Sequence, residues 1–206
     1  MGDRFESFPI FPLPLVLLPT EVAPLHIFEE RYKRMINRCL DDAAEFGVVW
    51  LGDDGLAEIG CTARVTELID RMEDGRMNIL VRGGSPFRLL RRVDDLAYPA
   101  GDIELLDDDD EDAPDAHTDA ARSSYAEVVA KATDERPGTE DLAGMDAYGM
   151  AATIELEPAL KQKLLDSRSE DERLGIVEDL FEKTVERLDR AEHVSEVASS
   201  NGKVHF

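Results

Sequence analysis

Apolar positions alternate by twos in the first half of the chain and recur by threes and fours in the second. Met77, Ile79 and Val81 alternate with Asn78, Leu80 and Arg82, the period of a strand with one buried face. Apolar runs of similar length predict further strands around Phe46–Leu51, Ile59–Ile69, Phe87–Val93 and Asp102–Leu106. Asp74-Gly75 lies between two of these runs and supplies the positive φ of a tight hairpin turn. One helix interrupts the strands: in FEERYKRMINRCL, Phe28, Tyr32, Met35, Ile36, Cys39 and Leu40 share a helical face. Glu29–Lys33 and Glu30–Arg34 are helpful i,i+4 pairs on it. Before it, FPIFPLPLVLLP cannot be helical, and its prolines favour an extended edge strand. Many short strands with glycine-bearing turns predict a small closed or partly closed barrel.

The second half reads as helices. His117–Ala132 puts Ala121, Tyr125, Val128, Val129 and Ala132 on one stripe. Pro137-Gly138 breaks the chain, and a helical pattern resumes over Asp141–Leu156. Pro158 opens another helix running to Leu165. Ser169-Glu170-Asp171-Glu172 reads as a capping box before the strongest helix, with Leu174, Val177, Phe181, Val185 and Leu188 facing inward. The expected class is α+β: a barrel subdomain over 8–106, an acidic linker over 107–115, a helical subdomain over 116–192 and a frayed tail over 193–206.

Charge sharpens the division. Residues 1–106 carry 12 basic and 19 acidic residues, 107–112 read DDDDED, and 113–206 carry 11 basic and 21 acidic residues. A run of six like charges repels itself and stays solvated, as a linker does. The net charge of −23 argues against a phosphate backbone or an anionic bilayer as partner, since both are bound through Lys and Arg. The apolar N-terminus is broken by Pro9, Pro12 and Pro14 and preceded by Asp3 and Glu6, unlike a secretory signal. Glu6 stands where a myristoylation signal wants Ser or Thr. No apolar run approaches the ~18 residues of a membrane span. Cys39 and Cys61 are too few and too far apart for a disulfide scaffold or a zinc motif, so buried free thiols and a cytoplasmic location are expected.

Motifs that carry chemistry are missing. There is no phosphate-binding loop, no GxSxG elbow and no HExxH, and the four histidines are scattered. DDDDED lacks the glycine and closing glutamate of a calcium loop. Arg82, Arg88, Arg91 and Arg92 form a small basic cluster inside an acidic chain. Catalytic residues, cofactors and metal ligands are therefore not expected.

Two segments carry a resemblance. FPIFPLPLVLLPTEVAPLHIFEERYKRMI, through Phe11, Pro12, Leu13, Pro19, Pro24, Leu25, His26, Ile27, Phe28, Glu29, Arg31 and Tyr32, is similar to the opening of the Lon protease N-terminal substrate-binding domain. EIGCTARVTELIDRMEDGRMNILVRGGSPFRLL resembles that family's glycine-led strand, Asp-Gly hairpin and following strand. KQKLLDSRSEDERLGIVEDLFEKTVERL resembles its closing helical segment, so the likeness spans roughly residues 8–192. Pro19-Thr20 and Pro86 depart from the family pattern and affect local loops. The sequence has no Walker motif, no Ser-Lys dyad and no cysteine-rich zinc domain of the cereblon type.

The resemblance implies a PUA-like β pseudobarrel followed by a helical bundle. It also implies a non-enzymatic module that recognises unfolded or tagged polypeptides or a partner protein, for instance as adaptor to a separate ATP-dependent protease. Recognition of that kind needs exposed apolar surface with a polar rim. The candidates are the proline-rich strand, Leu25, His26, Ile27 and Phe28, and an expected loop at Gly83, Gly84, Ser85 and Pro86. Phe11, Leu15, Leu17, Leu25 and Trp50 also fit a barrel core, His26 a histidine supporting the turn, and Glu29 with Arg31 a pair or cap at the helix start. A self-sufficient hydrolase and an RNA-binding PUA-like module are the competing readings. The first lacks its motifs and the second meets the wrong field.

Overall fold

The computed structural model describes the backbone of residues 2–93, 96–108 and 113–201, and side chains through residue 191. In chain order the elements are β1 (Arg4–Leu13), β2 (Val22–Ile27), α1 (Glu30–Asp42), β3 (Phe46–Gly52), β4 (Gly55–Leu56), β5 (Ile59–Arg71), β6 (Met77–Val93) and β7 (Ala100–Leu105). They are followed by α2 (Asp115–Thr133), α3 (Thr139–Leu142), α4 (Ala147–Ala151), α5 (Pro158–Asp166) and α6 (Glu170–Asn201). The chain divides into a sheet unit, 1–111 with 151–169, and a helical unit, 112–150 with 170–206. This differs from a split at the acidic run, because α5 rejoins the sheet. Its Gln162 donates to the Ile59 carbonyl at 3.1 Å and its Lys161 pairs with Glu21. Of the expected linker, residues 109–112 lie outside the described residues, and Asp115 already opens α2. Of the expected frayed tail, the backbone of 193–201 continues α6, and residues 202–206 lie outside the described residues.

The sheet closes. β1 pairs with β7, β7 with β6, β6 with β5, β5 with β3, and β3 runs parallel to β1, completing a ring; β2 adds beside β6 and β4 beside β3. β1 is thus not an edge strand. Residues 4–9 are laddered to β7 alone and 10–13 to β3 alone, so each half keeps one open side that tolerates Pro9 and Pro12. β6 is one long strand where two were expected, with β2 along its first part, β7 along its last and β5 beside most of it. The turn into it is the expected Asp-Gly one, with Gly75 at φ 80°.

Met77, Ile79, Val81, Phe46, Phe87 and Ile103 are fully buried within the sheet unit, as their alternation requires. Burying each such side chain stabilises the fold by about 1.5–3 kcal/mol. α1 buries Tyr32, Met35, Ile36 and Cys39. Its first turn is tied by Lys33 to Glu30 and Arg31 to Glu29, not by the two i,i+4 pairs expected. Trp50 is half-buried, not core. Both cysteines are free and buried; burial pushes the Cys39 thiol up to about 11 and the Cys61 thiol further up.

In the helical unit α2 and α6 carry the packing, with the Tyr125 and Phe181 rings 5.6 Å apart. Val185 and Leu188 are half-buried, and Ala132 is exposed at the end of its stripe. The helix expected over 141–156 is two short ones instead, separated by the extended backbone of Ala143 and by Gly144 at φ 79°. Glu170, which opens α6, accepts from the Ala147 N–H at 2.7 Å and pairs with Arg173, whose guanidinium lies over the Tyr148 ring.

Candidate functional site

An apolar cleft of about 470 Å³ opens in the sheet unit, where β1 ends and β2 gives way to α1. Its floor comes from Ile10, Phe11 and Ile27, each nearly fully buried. Pro12 and Pro14 wall one side, and Leu51 and Leu56 of the β3–β4 hairpin wall another. Strand alternation explains why β2 contributes as it does. Leu25 and Ile27 point inward while His26 points out. The strand stops at Ile27, the extended backbone of Glu29 caps α1, and between them Phe28 is left 60% exposed. An aromatic side chain so exposed has no role in the core.

The rim is polar. His26 donates from Nδ1 to Asn78 Oδ1 at 2.7 Å, and its ring stacks beside that of Phe28 with centroids 5.9 Å apart. Arg31 pairs with Glu29 at 2.8 Å and lays its guanidinium over the Tyr32 ring at 4.6 Å. Tyr32 in turn packs on Phe11 with ring centroids 4.1 Å apart, and burial raises its hydroxyl above the usual tyrosine range. The aromatic side chains beneath Phe28 are thus held by packing and by an ion pair, whereas Phe28 meets solvent. Arg92 completes the lining.

This arrangement offers apolar contact and a few hydrogen-bonding groups, not covalent chemistry. Among the described residues no group of three His, Cys, Asp or Glu side chains is placed to hold a metal ion. No described helix is long and apolar enough to cross a membrane.

The structure brings His26, Ile27 and Phe28 into the cleft but not Leu25, which is buried at 8% exposure. Gly83, Gly84, Ser85 and Pro86 form no loop: they are strand residues of β6 and do not line this cleft. Gly83 is buried where a Cβ would run into the Leu18 carbonyl, and its own N–H donates to the Glu21 carbonyl. Ser85 N–H is likewise used, donating to Thr62 Oγ1 at 2.9 Å. Their turn-like composition reflects a close approach of backbones, which a local reading cannot detect. The β3–β4 wall was not foreseen either. Its sequence signal is Asp54-Gly55, an Asp-Gly turn between Leu51 and Leu56 with Gly55 at φ 109°.

The model of the ATP-dependent protease La (LON) substrate-binding domain matches residues 7–183. The Lon protease of Paraburkholderia phytofirmans is 26% identical over 209 residues, covering 91% of this chain and 26% of that protein. The chain therefore spans about a quarter of the length of that curated relative. Among solved structures, the Lon N-terminal domain protein from Xanthomonas campestris matches with a TM-score of 0.62 at 25% identity, over 83% of this chain and 96% of that one. The N-terminal domain of the Mycobacterium avium complex Lon protease has a TM-score of 0.64 at 17% identity, over 86% and 98% of the two chains, a likeness of fold alone.

Proposed function

The chain belongs to the LON substrate-binding domain family, and from that premise we propose that it holds unfolded polypeptide segments by seating a large apolar side chain in the cleft beneath Phe28. The match is to the substrate-binding domain and not to a protease domain, so the role proposed is recognition without cleavage, as adaptor to a separate ATP-dependent protease. The observation that carries the reading is Phe28: 60% exposed, stacked on His26, and set over a cleft floored by Ile10, Phe11 and Ile27. Exposed aromatics at the mouth of an apolar cleft are the usual anchors of recognition. A net charge of −23 favours polypeptide over nucleic acid as the occupant.

Fluorescence anisotropy of a labelled, chemically unfolded polypeptide tests this without nucleotide. Saturable binding in the micromolar range, about 8 kcal/mol, that weakens in Phe28→Ala is expected. Saturable binding indifferent to Phe28→Ala would move the site elsewhere, and no binding would remove the proposal.

A further inference from the structure

β2 lies outside the ring of strands and pairs with β6 alone, from Val22 opposite Arg82 to Ile27 opposite Met77, with no register shift. Its other edge is open. Among the described residues no hydrogen bond outside that ladder reaches the main chain of residues 22–27.

The register decides which groups face outward. The Gly83 N–H donates to the Glu21 carbonyl at 2.9 Å, a pair that extends the β2–β6 register by one residue. Bonded and non-bonded pairs alternate along an antiparallel ladder. Glu21, Ala23, Leu25 and Ile27 therefore bond to β6, while Val22, Pro24 and His26 turn their main-chain groups away from it. Pro24 agrees with this, because proline is tolerated on a strand where its missing N–H faces the open side. The edge thus offers the N–H and C=O of Val22 and His26 and the C=O of Pro24, over about 13 Å.

A second open edge supplies the contrast. Beyond Ala63, β5 has β6 on one side and, among the described residues, no strand on the other. That edge is irregular between Val65 and Glu67 and again between Leu68 and Asp70, and it carries Arg64, Glu67, Asp70 and Arg71. Bulges and charges defend an edge against further pairing. β2 has no bulge along its pairing and no Asp, Glu, Lys or Arg; Pro24 withholds one donor and nothing else.

The complement of a row of unpaired main-chain groups is another extended main chain. A second copy of this chain is a poor occupant, since each copy carries −23. An unfolded polypeptide suits the edge better. His26 and Ile27, where the edge ends, line the apolar cleft, and Phe28 stands 60% exposed just beyond them. We propose that the polypeptide whose apolar side chain fills the cleft continues as an added strand along Val22, Pro24 and His26. The cleft then selects one side chain, and β2 holds its neighbours through their backbone whatever their sequence. This rests on the polypeptide-binding reading of the cleft and adds to it a main-chain requirement.

The test is an N-methyl scan, read by fluorescence anisotropy. The probe is a labelled peptide with one phenylalanine between two arms of alanine and serine, N-methylated at each arm residue in turn. Affinity is expected to fall about tenfold at every second residue of one arm and to hold at the residues between. Two protein variants locate the pairing. Val22→Pro removes an outward N–H without touching the β6 ladder and is expected to weaken binding about fivefold; Pro24→Ala supplies the missing N–H and is expected to tighten it about threefold. Urea midpoints are measured in parallel, and if Val22→Pro lowers its midpoint, Pro24→Ala alone decides.

Saturable binding with no alternation in the scan overturns the inference and leaves the polypeptide-binding reading standing. Alternation that Pro24→Ala does not strengthen assigns the pairing to another edge and overturns it for β2. If the unmethylated peptide does not bind, the reading of the cleft falls and the inference falls with it.

Discussion

The two units expose very different surfaces. Every exposed large apolar side chain among the described residues, Phe28, Leu51, Val22 and Ile69 among them, belongs to the sheet unit, and none belongs to the helical one. The helical unit turns charge outward instead, with Lys183 paired to Asp179 and Arg190 to Glu186 along α6. The difference follows from how each is held. A ring of strands satisfies its backbone by closing on itself and packs its core inside, so residues outside that core are released from structural duty. A pair of helices has no such closure and is held by its apolar stripe, here Tyr125, Val128, Val177 and Phe181. A recognition surface can be maintained where the fold does not depend on it.

The sharpest way to break this comparison is inside the ring. Phe87→Ala removes a fully buried ring and is expected to cost about 3–5 kcal/mol, read from the urea midpoint of Trp50 fluorescence. Phe28→Ala should leave that midpoint within about 0.5 kcal/mol while weakening unfolded-polypeptide binding about tenfold. A large loss of stability there would make Phe28 part of the core after all.

The helical unit carries its own pH signature. His117 Nδ1 faces Asp171 at 2.7 Å and its Nε2 faces Glu178 at 3.3 Å, and chiefly the bond to Asp171 raises its pKa above the ordinary 6.5. A raised folded-state value means the contribution is complete below about pH 6.5 and is lost as pH rises through the raised value. His117→Gln is therefore expected to flatten the fall in stability on the alkaline side of 6.5, followed by circular dichroism at 222 nm. An unchanged slope would show that the pair contributes nothing to the unit.

The smallest effect is expected at the Arg91–Asp102 pair on the sheet. Asp102 is held below the usual carboxylate range, first by the Ser7 N–H and then by Arg91, yet Arg91 is mostly exposed. Arg91→Ala should change stability by less than about 1 kcal/mol in chemical denaturation. The stability that Asp102 contributes is present above its ordinary value of 3.8 and fades as pH falls through the lowered one.

What was legible in the sequence was local. Asp74-Gly75 announced its hairpin, the Met77–Ile79–Val81 alternation its buried face, and Pro158 the first turn of α5. What was missed depended on partners far along the chain. β2 was not foreseen because Pro24 interrupts a short apolar run, and only its pairing opposite Leu80 of β6 makes it a strand. Gly83–Pro86 has the composition of a turn, yet the glycines serve the approach of Leu18 and Thr62 to β6. α5 looked like part of the helical half until Gln162 and Lys161 tied it to the sheet. For the candidate site, His26–Phe28 was legible as an apolar segment before a helix; Asp54-Gly55 signals the hairpin of Leu51 and Leu56, but not that it walls the cleft, which depends on tertiary packing.

Hydrogen–deuterium exchange of the full chain, with and without a saturating unfolded polypeptide, tests the central claim most directly. Protection confined to the β2–α1 junction around residues 26–32 and to the β3–β4 hairpin, with α2 and α6 unchanged, is the predicted result. Protection concentrated in α2 and α6, or none in the sheet unit, would contradict it.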